Sequence, residues 1–251
     1  MKSAFANYLL GSLVIVGLGA VAFWPSNSSC DRPTGKIVLI IDQTESISPE
    51  TKESIKGYAI SLIDKAQENT LISVRYLLAE GLTNEKLTFC RPISVSATTE
   101  LNHDIDEVTE NWNKFKNKFS ESIEKKYQIQ SASPIYRSLV NASREEFIGI
   151  NDNKTLVIFS DFKDYVPGKT NIHDSCSDPE SSSKQILSSL PIGKTDKPLD
   201  GISTQRYMIP RKAMNKQTIR CLVDVSDRIT NELSGGNTAH LTEVIFLPES
   251  Q

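Results

Sequence analysis

Lys36-Ile-Val-Leu-Ile-Ile-Asp-Gln-Thr-Glu-Ser46 is the stretch whose reading decides the fold. Residues 37–41 are apolar and mostly β-branched, which predicts a short strand buried on both faces. Parallel strands inside an open α/β sheet have that composition, because helices cover them above and below. Asp42, Thr44 and Ser46 follow at alternate positions. One carboxylate and two hydroxyls are hard oxygen donors of the kind suited to Mg²⁺, Mn²⁺ or Ca²⁺. A loop leaving the carboxyl end of a buried strand is also where open α/β sheets bind ligands.

The rest of the chain alternates strands and helices. Ser48-Pro49-Glu50 provides an N-cap, a proline at N1 and an acidic first turn, so a helix begins there and runs to Ala66. Residues 71–78 and 87–95 predict two strands joined by a turn at 81–84, the second antiparallel to the first. Residues 104–127 form a charged helix with Ile105, Val108, Trp112, Phe115, Phe119 and Ile123 on one stripe. Ser133-Pro134 opens a further helix, residues 155–159 form a buried strand ending at Ser160-Asp161, and 206–209 form a weaker strand. Residues 216–233 predict a helix closed by Gly235-Gly236, and 241–247 a last strand. Residues 164–197 are polar and without clear period, which predicts an exposed functional loop holding at most a short helical turn at 185–190. The expected fold class is α/β: a doubly wound, mostly parallel sheet with one antiparallel edge strand. Right-handed crossovers then place Asp42 and Asp161 on one rim.

Composition is that of a folded domain, with 24% charged and 38% hydrophobic residues. A net charge of −3 without a basic block argues against nucleic acid as a partner. Residues 8–24 carry no charge and are bracketed by Tyr8 and Trp24. This predicts an N-terminal transmembrane signal anchor over 1–25, a linker over 26–35 and a folded domain over 36–251. The alternative is a secretory signal cleaved after Ala22. Either route exports the domain to the periplasm or the cell exterior. Cys30, Cys90, Cys176 and Cys221 are widely spaced, without a zinc pattern, and predict two disulfides in an oxidising compartment. His103, His173 and His240 are scattered and form no ligand cluster. No nucleophile elbow, phosphate loop or dinucleotide fingerprint is present.

Two buried strands therefore end in aspartate, Asp42 and Asp161, with Ser131-Ala-Ser-Pro-Ile-Tyr-Arg-Ser-Leu139 between them. This combination resembles the von Willebrand factor A domain, a Rossmann-like fold with a metal-ion-dependent adhesion site. The family's Asp-x-Ser-x-Ser appears as Asp42-Gln-Thr44-Glu-Ser46, its loop threonine as Ser133, and its later aspartate as Asp161. Phe162 stands where the family usually has glycine, and is expected to alter the loop backbone. The resemblance implies that Thr44 and Ser46 hold a divalent cation directly and Ser133 directly or through water. Asp42 and Asp161 would act mainly through water. The cofactor implied is Mg²⁺ (or Mn²⁺ or Ca²⁺), and the partner a protein offering an acidic side chain. In such a fold Cys30 and Cys90 lie toward the edge opposite the metal rim, and Cys176 and Cys221 on the other half of the sheet. The expected pairing is therefore Cys30–Cys90 and Cys176–Cys221.

The expected function is a membrane-anchored, non-enzymatic domain that binds protein through a divalent cation, with residues 164–197 shaping partner choice. The alternatives are a metal-independent scaffold within a membrane assembly and, remotely, a metal-assisted phosphatase using Asp42 as nucleophile. Against the last, Thr44 stands where a second carboxylate would help, and no acid–base partner is in view.

Overall fold

A computed structural model describes residues 30, 32–84, 86–91, 102–124 (side chains from 109), 130–172, 176–209, 211, 214–237 and 245–247. The apolar segment 8–24 and half of the linker lie outside the described residues. Among the described residues no helix is long and apolar enough to cross a membrane.

The described residues alternate nine strands with five helices. These are β1 Gly35–Asp42, α1 Pro49–Asp64, β2 Thr70–Leu78, β3 Gly81–Leu82, β4 Leu87–Cys90, α2 Asn102–Glu124, α3 Ile135–Glu145, β5 Lys154–Ser160, β6 Tyr165–Val166, β7 Thr170–Asn171, α4 Pro179–Ser189, β8 Ser203–Met208, α5 Lys216–Leu233 and β9 Ile245–Phe246. The main sheet runs β3-β2-β1-β5-β8-β9, with β4 also pairing β2. β1 is parallel to β2 and β5, β5 to β8, and β8 to β9. The antiparallel edge holds two short strands, β3 and β4, where one was expected. β4 is described to Cys90, and residues 92–95 of the expected strand lie outside the described residues.

The apolar runs are explained by burial on both faces. In β1, Val38 and Ile40 face a core shared with α3, α4 and α5, whereas Leu39 and Ile41 face one shared with α1 and α2. β5 divides in the same way, with Leu156 and Ile158 on the first side and Val157 and Phe159 on the second. The helix starts have local causes. Ser48 accepts a hydrogen bond from the Thr51 amide at 3.2 Å, and Asn215 accepts one from Thr218 at 2.8 Å. Gly235 and Gly236 close α5 with φ of 69° and 79°, the region that glycine enters without a Cβ penalty.

Residues 164–197 correct the expectation of an exposed loop. They hold a small hairpin, β6–β7, and the three-turn helix α4, longer than the turn expected at 185–190. Ile172, Cys176, Ile186, Leu190 and Leu199 are buried in the core beneath α5. Few anchors suffice here because the segment is tied covalently. Cys176 is bonded to Cys221 of α5, with Cα atoms 5.6 Å apart. The other disulfide joins Cys30 to Cys90, with Cα atoms 5.5 Å apart. Both pairings are the expected ones.

Candidate functional site

The strand order reverses direction between β1 and β5: the chain leaves β1 for β2 on one side and returns to β5 on the other. A crevice opens outside the carboxyl ends of strands at such a switch point. Asp42 closes β1 at this place, and Asp161 directly follows β5.

The two-residue period of a strand fixes which way Asp42 points. It has the parity of Val38 and Ile40, so it faces the α3 side of the sheet. Ser160 has the parity of Leu156 and Ile158 and faces the same side. Its hydroxyl donates to Asp42 Oδ2 at 2.6 Å. The opposite oxygen, Oδ1, accepts from the Thr44 amide at 3.0 Å and from Thr44 Oγ1 at 2.7 Å. Asp42 is fully buried, and each of its oxygens is held by a donor.

Ser133 reaches the same point from 89 residues away. Its backbone forms an antiparallel bridge with Tyr165, donating to the Tyr165 carbonyl at 2.7 Å and accepting from its amide at 3.1 Å. This pins the start of α3 to the loop after β5. Thr44 Oγ1 and Ser133 Oγ then stand 3.1 Å apart. Pro134 leaves α3 without a cap from its own chain neighbours, and Asp164 supplies one from a distance. Its Oδ1 accepts from the Tyr136 amide at 3.3 Å, and its Oδ2 from Thr170 Oγ1 at 2.7 Å. Burial raises the Asp164 carboxyl to about 6, against the pull of those hydrogen bonds.

Mg²⁺ binds oxygen at about 2.1 Å in an octahedron, which places neighbouring ligands roughly 3 Å apart. The Thr44–Ser133 separation matches that edge, and both donors are neutral hydroxyls beside a fixed carboxylate. These residues fit a cation. Among the described residues no group of three His, Cys, Asp or Glu side chains could hold a metal unaided, so any ion here would depend on the hydroxyls.

Of the five residues singled out by sequence, Asp42, Thr44 and Ser133 form one connected cluster. Asp161 lies close enough to feel the charge of Asp42, but its own contacts lead elsewhere. Its Oδ1 accepts from the Lys163 amide at 3.0 Å and its Oδ2 from Arg211 Nε at 3.0 Å. Burial raises the Asp161 carboxyl to about 6; Arg211 opposes the rise and Asp42 adds to it. Ser46 departs from the expectation. Its side chain is exposed, and its carbonyl accepts from Arg211 Nη1 at 2.7 Å.

Sequence reasoning missed Arg211, Glu45 and Ser160. Arg211 Nε is 3.7 Å from Glu45 Oε2, and Lys163 Nζ is 4.0 Å from Glu45 Oε1. Only Ser160 had a legible signal, since it precedes Asp161 with the parity of the buried β5 residues. Arg211 lies 50 residues beyond Asp161 in a stretch of no special composition.

Phe162 adopts φ of 59° and is fully buried. The backbone there thus adopts the left-handed conformation that glycine favours. That conformation costs a non-glycine residue about 1–2 kcal/mol. A buried Phe is worth about 3–5 kcal/mol over a truncated side chain, so burial wins. Phe162→Gly is therefore expected to destabilise the protein by about 2–4 kcal/mol despite relieving strain. Urea denaturation would check this, and a more stable variant would contradict it.

No family model and no curated protein matches this chain. Among solved structures it is similar to the human COPII-coat protein Sec24c, at 11% sequence identity and a TM-score of 0.44 over 88% of this chain. The match covers 30% of that chain, so this one spans less than a third of its length. A likeness at that level carries no argument, and the functional reading rests on the residues described above.

Proposed function

We propose that this chain is an exported, membrane-anchored domain similar to the von Willebrand factor A family, which binds an acidic protein partner through a divalent cation. The observation that carries the reading is the meeting of Thr44 and Ser133, 3.1 Å apart, beside the buried Asp42 at the switch point of the sheet. Thr44 and Ser133 would hold the ion, and Asp42 orients Thr44 through their 2.7 Å hydrogen bond. Asp161 lies on the same rim and would reach the ion through water only where Arg211 releases it. Bound mainly by neutral hydroxyls, the ion would supply an electron-poor centre with room for a carboxylate from another molecule. The apolar segment 8–24 and the two disulfides support export and anchoring.

Calorimetric titration of the full chain with Mn²⁺ should show one site. Thr44→Val, which keeps volume and removes the oxygen, should weaken it by about 10–100-fold, the range seen when a metal site loses a supporting group. Equal affinity in the two proteins would sink the reading. A second reading, a metal-independent scaffold, is favoured by Arg211, which brings a permanent positive charge to the same rim. Retention of the same partners in EDTA would support that alternative.

A further inference from the structure

We infer that Arg211 is a tethered cation that takes Asp161 out of the divalent-ion site and thereby keeps the rim's metal affinity low. The inference deepens the proposed function and rests on it.

The guanidinium is fixed by acceptors on two separate loops. Nε lies 3.0 Å from Asp161 Oδ2 and 3.7 Å from Glu45 Oε2, while Nη1 donates to the Ser46 carbonyl at 2.7 Å. Its side chain is 8% exposed, and that of Asp161 3%. Arginine keeps its proton at any physiological pH, so this positive charge is always present. A pair so shielded is weakly screened, and neither member leaves the other without exposing a buried charge.

The consequence for an incoming ion follows from charge count. Thr44 and Ser133 are neutral. Asp42 is an anion whose oxygens are already occupied by Thr44 and Ser160. Asp161 is a second buried anion where β1 and β5 end, and Arg211, which also lies 3.7 Å from Glu45, offsets its charge. The buried Asp164 is engaged by the Tyr136 amide and Thr170. A divalent cation at the hydroxyls thus meets an Asp161 whose charge is already offset by a guanidinium. Affinity for hard divalent cations is tuned by the number of ligand charges. With Arg211 in place the rim keeps its shape without metal. With Arg211 removed, Asp161 faces the ion through water.

Mn²⁺ calorimetry on the full chain tests this. Arg211→Gln should bind Mn²⁺ at least about tenfold more tightly than wild type, and Arg211→Gln/Asp161→Asn should lose that gain. Asp161→Asn alone leaves the Arg211 charge uncompensated and should weaken binding, so that Arg211→Gln/Asp161→Asn binds more tightly than Asp161→Asn. Circular dichroism and a cooperative melt establish that each variant folds. Should Arg211→Gln not fold, Arg211→Met decides on the same criterion: Mn²⁺ affinity no higher than wild type would overturn the inference. Arg211→Gln binding no more tightly than wild type would also overturn it, while leaving the proposed cation site standing if Thr44→Val still loses affinity. Absence of Mn²⁺ binding in every variant would remove both.

Discussion

Glu146→Gln is expected to lower the stability of this protein by about 3–5 kcal/mol, the cost of stranding buried charges by removing their partner. Glu146 follows α3 and is almost wholly buried between that helix and the edge of the sheet. Lys36 Nζ reaches its Oε2 at 2.8 Å, Arg75 pairs with its Oε1, and Lys86 Nζ lies 3.7 Å away. Lys36 comes from β1, Arg75 from β2, and Lys86 from just before β4. One carboxylate therefore joins three strands to a helix. Lys36 and Arg75 are themselves buried, so neither can turn to water when the carboxylate is gone. A fall of less than 1 kcal/mol in chemical denaturation would show that the cluster is not a structural joint.

The same residue gives a dependence on pH. Burial alone would raise the Glu146 carboxyl, but the hydrogen bond and charge of Lys36, with Arg75 and Lys86, outweigh it and hold the group below its ordinary value of 4.5. A depressed carboxyl stabilises the fold above its unfolded value, and that contribution is lost as pH falls through the folded value. The stability difference between wild type and Glu146→Gln should therefore be full at pH 7 and shrink as pH falls below about 4.5. A difference that stays constant down to pH 3 would contradict this.

Removing the second disulfide, as Cys176→Ala/Cys221→Ala, should cost about 4 kcal/mol by the loop-entropy relation for its separation of 45 residues. For a chain of this size that is a fall in Tm on the order of 10 °C. The loss should also be local. The segment around α4 is anchored to α5 by this bond and shares its core through Ile172, Ile186, Leu190 and Leu199. Faster amide exchange in α4 than in β1 or β5 is the expected signature. Uniform loss of protection across the whole sheet would mean that α4 is not a separable layer.

The fate of α4 shows where sequence reading stopped. Asp178-Pro179-Glu180 has the same form as Ser48-Pro49-Glu50: a capping side chain, a proline at N1 and an acid in the first turn. Asp178 does cap, accepting from the Glu180 amide at 3.0 Å. The signal was present but was outweighed by the polar run that follows, in which Ser183 and Ile186 are the buried contacts. A helix held by a disulfide and a few side chains needs no broad apolar face. Periodicity therefore under-reports it.

The sequence by itself determined the alternation of strands and helices, the central place of β1 and β5, and the rim that carries Asp42, Thr44, Ser133 and Asp161. Those features follow from local chemistry: apolar runs, two-residue parity, and caps made by neighbours in the chain. Only the tertiary structure decided which of these residues meet. It left Ser46 exposed and brought Arg211 across 50 residues to Asp161. It also set Glu146 between three cations. A charge pair across that distance leaves no trace in local pattern, because its geometry is fixed by the packing of elements and not by the residues beside it.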